Sequence, residues 1–499
     1  MHIITVTSIA DSGAGSFREA LELAAAYTGG ELVQIQFDAS LAGQVIELKS
    51  EITVSTPLGI LNLQESPVRI CGQCLNVDAS VELHNMVLDT LMLSESATIT
   101  GEGNVINSAL HVSADADLSG FSVGAGSDDA CVYLSDASGE TPAALSDSAV
   151  LNGSLDVVIE SGTWSFNARQ QYTGNTTVNA GATLVLNQKT DTQGVIAGTV
   201  NVLGTLELAA GDCTGYSDLS NSIRVINIGS AEQGGGELHI STRLIASNGN
   251  LSGPNQTFGS TVINMYAGSI TGVEGSNFDL FSKFNTAYPA AINVYAVAGA
   301  ETSRSYINTS MMRLRQNDTN IMVDSAAELI INAQLSNGDS GNHKLIKTGA
   351  GKLTLTNGSS DYTGGTEIRG GELLVEADAL GTGAVLVTSG CLNIVACVVN
   401  QGSNTVTIQS GGSLKMTEAG LDSAGVSIQG GAQAVLNSSI LHDLTVEAGA
   451  EVEMTGCSFV GNLTLSMDAD CTLSGNDFSN VEQFVFTNVA EGKTIDLSG

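Results

Sequence analysis

Positive charge is scarce in this chain. Lysines and arginines number 17 against 52 aspartates and glutamates in 499 residues, a formal net charge of −35. Beyond Arg369 only Lys415 and Lys493 are basic. Such a chain repels phosphate backbones and anionic lipid, which argues against nucleic acid as a partner. The acidity keeps a large surface soluble and copies apart, so a monomer is expected. Aromatics are only 4% and prolines only 5. With so few large side chains a thin, layered core is expected rather than a thick one. Disorder is excluded by the low share of charged residues, 14%, beside 42% apolar. No apolar run reaches the ~18 residues of a membrane span, so none is expected here. A basic segment followed by an apolar core is missing from the start. Met1 to Val6 alternates like a strand, and Thr494 to Gly499 like a strand cut at a turn. These ends read as those of a fragment, with export signal and anchor outside it.

Glycine is what the chain has in quantity, 58 residues. Its role is clearest in Leu345 to Val375, where short apolar–polar alternations each close on glycine: Gly349, Gly351, Gly364, Gly370 and Gly371. Alternation marks strands, and glycine supplies the positive-φ corners between them. The one helix in the pattern starts at Ser16-Phe-Arg-Glu19, a capping box in which Ser16 accepts the Glu19 amide and the Glu19 carboxylate reaches back. Phe17, Ala20, Leu21 and Ala24 form its apolar stripe, and Tyr27-Thr-Gly29-Gly30 ends it. Such a helix suits the open end of a stack of strands. From Leu32 to about Val158 short strands follow one another, with Val123 to Thr141 expected as a protruding loop.

A long repeat comes next. Tyr172-Thr-Gly-Asn-Thr-Thr-Val178 matches Tyr362-Thr-Gly-Gly-Thr-Glu-Ile368. Upstream, Gly162-Thr-Trp164-Ser-Phe166 matches Gly351-Lys-Leu353-Thr-Leu355, with a single-position slip in the turn between the two matches. Lys347, Gly349, Gly351, Leu353, Leu355, Tyr362, Gly364, Thr366, Gly371 and Leu373 give Lys-x-Gly-x-Gly-x-Leu-x-Leu, then Tyr-x-Gly-x-Thr, then Gly-x-Leu. This unit resembles the passenger-associated repeat of bacterial autotransporters. The earlier copy lacks the Lys-x-Gly start. The stretch Thr5 to Leu21, with Ser16-Phe-Arg-Glu-Ala20, resembles the opening module of bacterial secreted β-helix proteins, with Phe17 where that module has leucine. Together these resemblances imply a right-handed parallel β-helix, exported through a C-terminal barrel and displayed at the outer surface.

In the tail, strand pairs begin near Val406, Val426, Leu444 and Leu463, steps of 20, 18 and 19. That period suits one turn of a β-solenoid and neither a propeller blade nor a leucine-rich repeat. Turns about 4.8 Å apart predict a rod on the order of 100 Å long. Residues 211–344 are less regular. Phe278, Phe281, Phe284, Tyr288, Tyr295 and Tyr306 gather there, with the basic stretch Met311 to Arg315. A thicker part of the solenoid is expected, with a binding subdomain as the alternative.

No residue earns a catalytic, cofactor-binding or metal-binding assignment. Asp11-Ser12-Gly13 reads as a turn, because only His2 precedes Ser12. Asp115-Ala-Asp117 fails the helix–loop–helix calcium pattern, whose twelfth position falls on Gly126. Calcium between turns at Asp115/Asp117 or Asp468/Asp470 is the alternative to a solvated polar face. Cys71-Gly-Gln-Cys74 has no second ligand pair for zinc, so free thiols or a local disulfide are expected. His2, His84, His111, His239, His343 and His442 are scattered, and Arg69, Arg224, Arg243 and Arg369 are the strand-region bases that a lyase would recruit.

The expectation is therefore an all-β chain, a right-handed parallel β-helix with a short N-terminal capping helix. Its segments are 1–60 (cap and first turns), 61–210 (solenoid with the first repeat), 211–344 (less regular) and 345–499 (second repeat and ~20-residue turns). It is expected to be a non-enzymatic adhesin or stalk, exported by a type V route to the bacterial outer surface or beyond. The expected partner is a glycan or protein on a host or neighbouring cell. The alternatives are a polysaccharide lyase or glycoside hydrolase on the same fold, and a spacer without a ligand.

Overall fold

The computed structural model describes residues 1–136, 143–145, 148–187, 195–209, 223–241, 244–245, 252–253, 255–259, 262–281, 291–337, 341–422, 425–468 and 470–489. The chain divides into two compact units, Met1–Arg224 and Val225–Gly499. Each is a parallel β-solenoid. Alternation is the cause: odd and even side chains of a strand point to opposite faces, so each short run buries one set and leaves the other to solvent. Phe166, Leu184 and Leu206 are all 0% exposed.

In the first unit the strand His2–Val6 pairs with Val33–Phe37, which pairs with Leu58–Leu61, which pairs with Ser80–His84, all in parallel. Ile35, Ile60 and Leu83 are thereby stacked in register, each 0% exposed. Such columns of branched side chains, one per coil, make up the thin core. The helix Phe17–Ala26 covers the first coil with Phe17, Ala20, Leu21 and Ala24. Phe17 stacks on Phe37 with ring centroids 5.8 Å apart. Glu19 N–H donates to Ser16 Oγ at 3.1 Å, as expected, but the Glu19 carboxylate accepts from Gly15 N–H. The Ser16 amide is already given to Gly13 O, so the carboxylate takes the next free donor. The helix ends because Tyr27 turns extended, at φ −73° and ψ 122°, and not through a glycine cap. Tyr27 is held there by stacking on His2, with centroids 4.2 Å apart.

The expected loop at 123–141 is a correction. Phe121–Ala125 and Cys131–Ser135 are strands, and Phe121, Val123, Val132 and Leu134 point into the core. A composition rich in glycine, serine and aspartate hides two short alternations; residues 137–141 lie outside the described ones.

In the second unit the coil length changes. Val225↔Val262, Val262↔Ala291, Ile292↔Ile321 and Asp318↔Lys344 are register partners, so the chain advances by 37, 29, 29 and 26 over these coils. Then Leu345↔Thr366, Thr366↔Val385 and Val385↔Val406 give 21, 19 and 21. Val406↔Val426, Val426↔Leu444 and Leu444↔Leu463 give the 20, 18 and 19 read from the sequence. The longer coils carry an additional parallel sheet of Asn255–Gly259, Asn277–Phe281, Met311–Arg315 and Gln334–Ser336. Phe278, Met312 and Leu335 stack inward on it. The basic stretch is thus a core strand. Tyr266 and Tyr295 stack across two coils at 5.1 Å. Phe284 and Tyr288 lie outside the described residues.

Candidate functional site

The repeat motif turns into a corner built around a buried lysine. Leu345 and Lys347 point the same way along Lys344–Thr348, into the core, and Lys347 is 0% exposed. Its Nζ donates to the carbonyls of Thr348 at 2.8 Å, Gly349 at 3.0 Å and Gly370 at 3.1 Å. Desolvation pulls its pKa down to about 8. The carbonyls converge because the glycines let the chain turn sharply and touch. Gly371 has φ +63°, and a Cβ there would stand 2.2 Å from Gly351 O. A side chain is excluded on both counts.

Four residues after the tyrosine, a threonine closes the second half of the motif. The Tyr362 hydroxyl meets Thr366 Oγ1 at 2.6 Å, and the Tyr172 hydroxyl meets Thr176 Oγ1 at the same 2.6 Å. All four are at most 2% exposed, and burial pushes both phenols far up. The intervening glycines abut the preceding coil: a Cβ on Gly174 would meet Leu155 O at 2.2 Å, and one on Gly364 would meet His343 C at 2.3 Å. The two copies are therefore the same physical object. They differ at the lysine: Ile159 pairs with Val178 as Lys347 pairs with Ile368, so Ile159 occupies the lysine's place.

Two charge clusters accompany the second copy. Arg304, Glu328 and Lys352 are register partners in three successive coils. Arg304 Nε lies 2.9 Å and Lys352 Nζ 2.7 Å from the Glu328 carboxylate, and Thr354 Oγ1 donates to it at 3.0 Å. Burial pushes the Glu328 carboxyl up, but hydrogen bonds from Lys352, Arg304 and Thr354 bring it net below the ordinary range. Glu367 is held low chiefly by Arg369, at 2.6 Å, and also by Lys344, at 3.4 Å. The sequence reading assembled neither cluster. The signal was present as evenly spaced charges, Arg304 to Glu328 to Lys352, but it is legible only once the local coil length is known.

The residues weighed in the sequence are dispersed. Arg69 forms a two-pronged pair with Asp89 at 2.8 and 2.9 Å. Arg224 is exposed on its strand, and Arg243 lies outside the described residues. Asp11 accepts from Arg18 at 2.8 Å and from the Lys49 amide at 3.0 Å, which makes it a turn anchor. Asp117 accepts the Ser119 amide at 2.8 Å. Asp470 stands opposite Glu451. Among the described residues no three His, Cys, Asp or Glu side chains converge as metal ligands. His84 meets Glu82 at 2.9 Å, His239 meets Thr271 at 2.7 Å and His111 stacks on Tyr133. Cys71, Cys74 and the other five described cysteines are free, and burial pushes their thiols up, Cys131 and Cys391 among them. Cys213 lies outside the described residues.

Two shallow depressions mark the outer faces. One in the first unit, of about 440 Å³, has Glu51, Thr53, Asn76, Asp78, Met92 and Ser94 along it. One in the second unit, of about 470 Å³, has Asp378, Thr382, Asn400, Gln401, Ser403 and Asn404. No helix among the described residues is long and apolar enough to cross a membrane.

Compared with known families, residues 160–186 and 345–375 match the passenger-associated-transport-repeat, the two stretches whose tyrosine–threonine corners coincide. Searches of curated proteins and of solved structures find no match to the chain.

Proposed function

We propose that this chain, a β-solenoid carrying two passenger-associated transport repeats, is an autotransporter-passenger β-helix protein that serves as a non-enzymatic adhesive stalk. The repeat family implies secretion or surface display. The route is an autotransporter barrel, and the partner is a glycan or protein on a host or neighbouring cell. The observation that carries this reading is the second repeat, where the polar motif side chains are spent on bonds inside the solenoid wall, one of them, Lys347 to Gly370 O, crossing to the next coil. Lys347, Tyr362 and Thr366 all bond inside the wall and leave nothing for substrate. A glycoside hydrolase on this fold needs a carboxyl held high to act as an acid beside a second one held low, and a lyase needs a base set beside acids, whereas Arg69 and Arg369 are each paired with a carboxylate. Among the described residues the carboxyls that depart from ordinary values, such as Asp78, Asp89, Glu328 and Glu367, are held low. The groove in the first unit is lined by two acids, Glu51 and Asp78, but Asp78 is engaged by Ser94 and Ser96.

The test is display. The chain, fused ahead of an autotransporter barrel in a Gram-negative host, is expected to be labelled by antibody on intact cells and to increase their attachment to epithelial or bacterial monolayers. Chain retained in the periplasm would overturn the export reading. Displayed chain that leaves attachment unchanged would favour a spacer. Release of reducing ends or unsaturated sugars from polysaccharide by the purified chain would favour the enzyme.

A further inference from the structure

The depression in the second unit is built by loops of successive coils at one corner. Asp378 and Thr382 come from one coil, and Asn400, Gln401, Ser403 and Asn404 from the next. On the preceding coil the same corner continues with Ser360 and with Thr363, which Asn337 Nδ2 reaches at 2.9 Å. The loops brace one another. Asn400 N–H donates to Asp378 Oδ1 at 3.0 Å, and Asn404 Nδ2 donates to Thr382 O at 2.5 Å. Thr382, Asn400 and Ser403 remain exposed. Beneath them Gln401 is only 1% exposed. Its Nε2 donates to Gly381 O at 3.0 Å, while its Oε1 accepts from nothing. At the comparable corner of the first unit, Gln170 Oε1 accepts the Leu151 amide at 3.0 Å. A buried acceptor without a donor is costly, and it is relieved when a hydroxyl or water reaches it.

We propose that this corner binds a neutral oligosaccharide, laid across the coils so that its hydroxyls meet Asp378, Thr382, Asn400, Ser403 and Asn404. Carboxylate, carboxamide and hydroxyl groups set close together pair with the adjacent hydroxyls of a sugar, as acceptors and donors at once. An anionic ligand is opposed by Asp378 and by the net charge of −35. A metal ion is opposed by the presence of a single carboxylate. The volume suits a small ligand, and coils ~4.8 Å apart repeat at close to the length of one sugar unit. No aromatic platform lines the depression, so binding is weak per site, in the millimolar range, and gains strength from many displayed copies.

This inference rests on the adhesive reading and is tested apart from it. The purified full chain is titrated calorimetrically with cellohexaose, mannohexaose, maltohexaose and chitohexaose, at low and high salt. At least one is expected to bind with little salt dependence. Asp378→Asn keeps the acceptor for the Asn400 amide, and Ser403→Trp fills the depression from an exposed position. Each is expected to weaken binding about tenfold, with an unchanged circular dichroism spectrum and melting point. Binding by none of the four at millimolar concentration, or binding equal in both variants, overturns the site. If cells displaying Ser403→Trp attach as well as wild type, the site falls and the adhesive reading stands. If wild-type cells do not attach while the purified chain binds sugar, the adhesive reading falls and the site stands.

Discussion

A lysine amid backbone carbonyls, with no carboxylate bonded to it, is an unusual choice for a core. Lys347 is tolerated because its three donors match three carbonyls at a place where the ladder between Thr366–Val375 and Val385–Val395 slips register. Methionine or isoleucine would leave those acceptors bare. The arrangement has a pH signature. The folded pKa of about 8 lies below the ~10.4 of an unfolded lysine. Between those values the unfolded chain binds the extra proton, so stability rises with pH there and is lower, by a constant amount, below pH 8. The expected rise is on the order of 3 kcal/mol. The buried thiols, whose folded pKa is raised, pull the other way in this window, so the signature is read as a difference: in urea unfolding between pH 7.5 and 10.5 the stability of wild type relative to Lys347→Met should rise with pH. A difference that stays flat or falls over this range would contradict the corner.

At the scale of the element, the coil rather than the strand is the unit that folds, since a strand's partner lies a whole coil away, from 18 residues at Val426↔Leu444 to 37 at Val225↔Val262. Two features hold coil to coil. The first is the glycine column. Gly371→Ala must place a methyl 2.2 Å from Gly351 O at a left-handed φ, and a loss of at least ~2 kcal/mol is expected, read as a lowered melting point. The same change at Gly411, where nothing stands within 4 Å, meets only the backbone penalty and is expected to lose less. The second is the cross-coil charge stack. Glu328 has a lowered pKa, so it contributes stability that is present above ~4.3 and lost as pH falls through its folded value. Glu328→Gln leaves Arg304 and Lys352 unanswered. It is expected to be less stable at pH 7 by about 1–3 kcal/mol and to lose less on acidification than wild type. Equal acid sensitivity in the two proteins would remove Glu328 from this role.

For the whole molecule, charge dominates. A net charge of −35 with 17 basic residues is expected to keep copies dispersed and to strain the folded state through self-repulsion. Screening shortens that repulsion to a few ångströms at high salt. Sodium chloride raised from about 0.01 M to 0.5 M should therefore raise the melting point while sedimentation still reports a monomer. A melting point that falls with salt would mean that ion pairs such as Arg69–Asp89 outweigh the net repulsion.

Alternation, glycine corners and the echo of Tyr172 at Tyr362 are local or periodic, so the parallel solenoid, its helix and the repeat were legible from the chain alone. Coil length is not local. It is set by how many strands one turn holds, and the additional sheet through Met311–Arg315 stretches its turns well past those of the tail, beyond any repeating pattern in the sequence. Everything that depends on coil length was therefore decided only by tertiary structure. That includes which cation meets Glu328, which carbonyls receive Lys347, and which loops gather around Gln401.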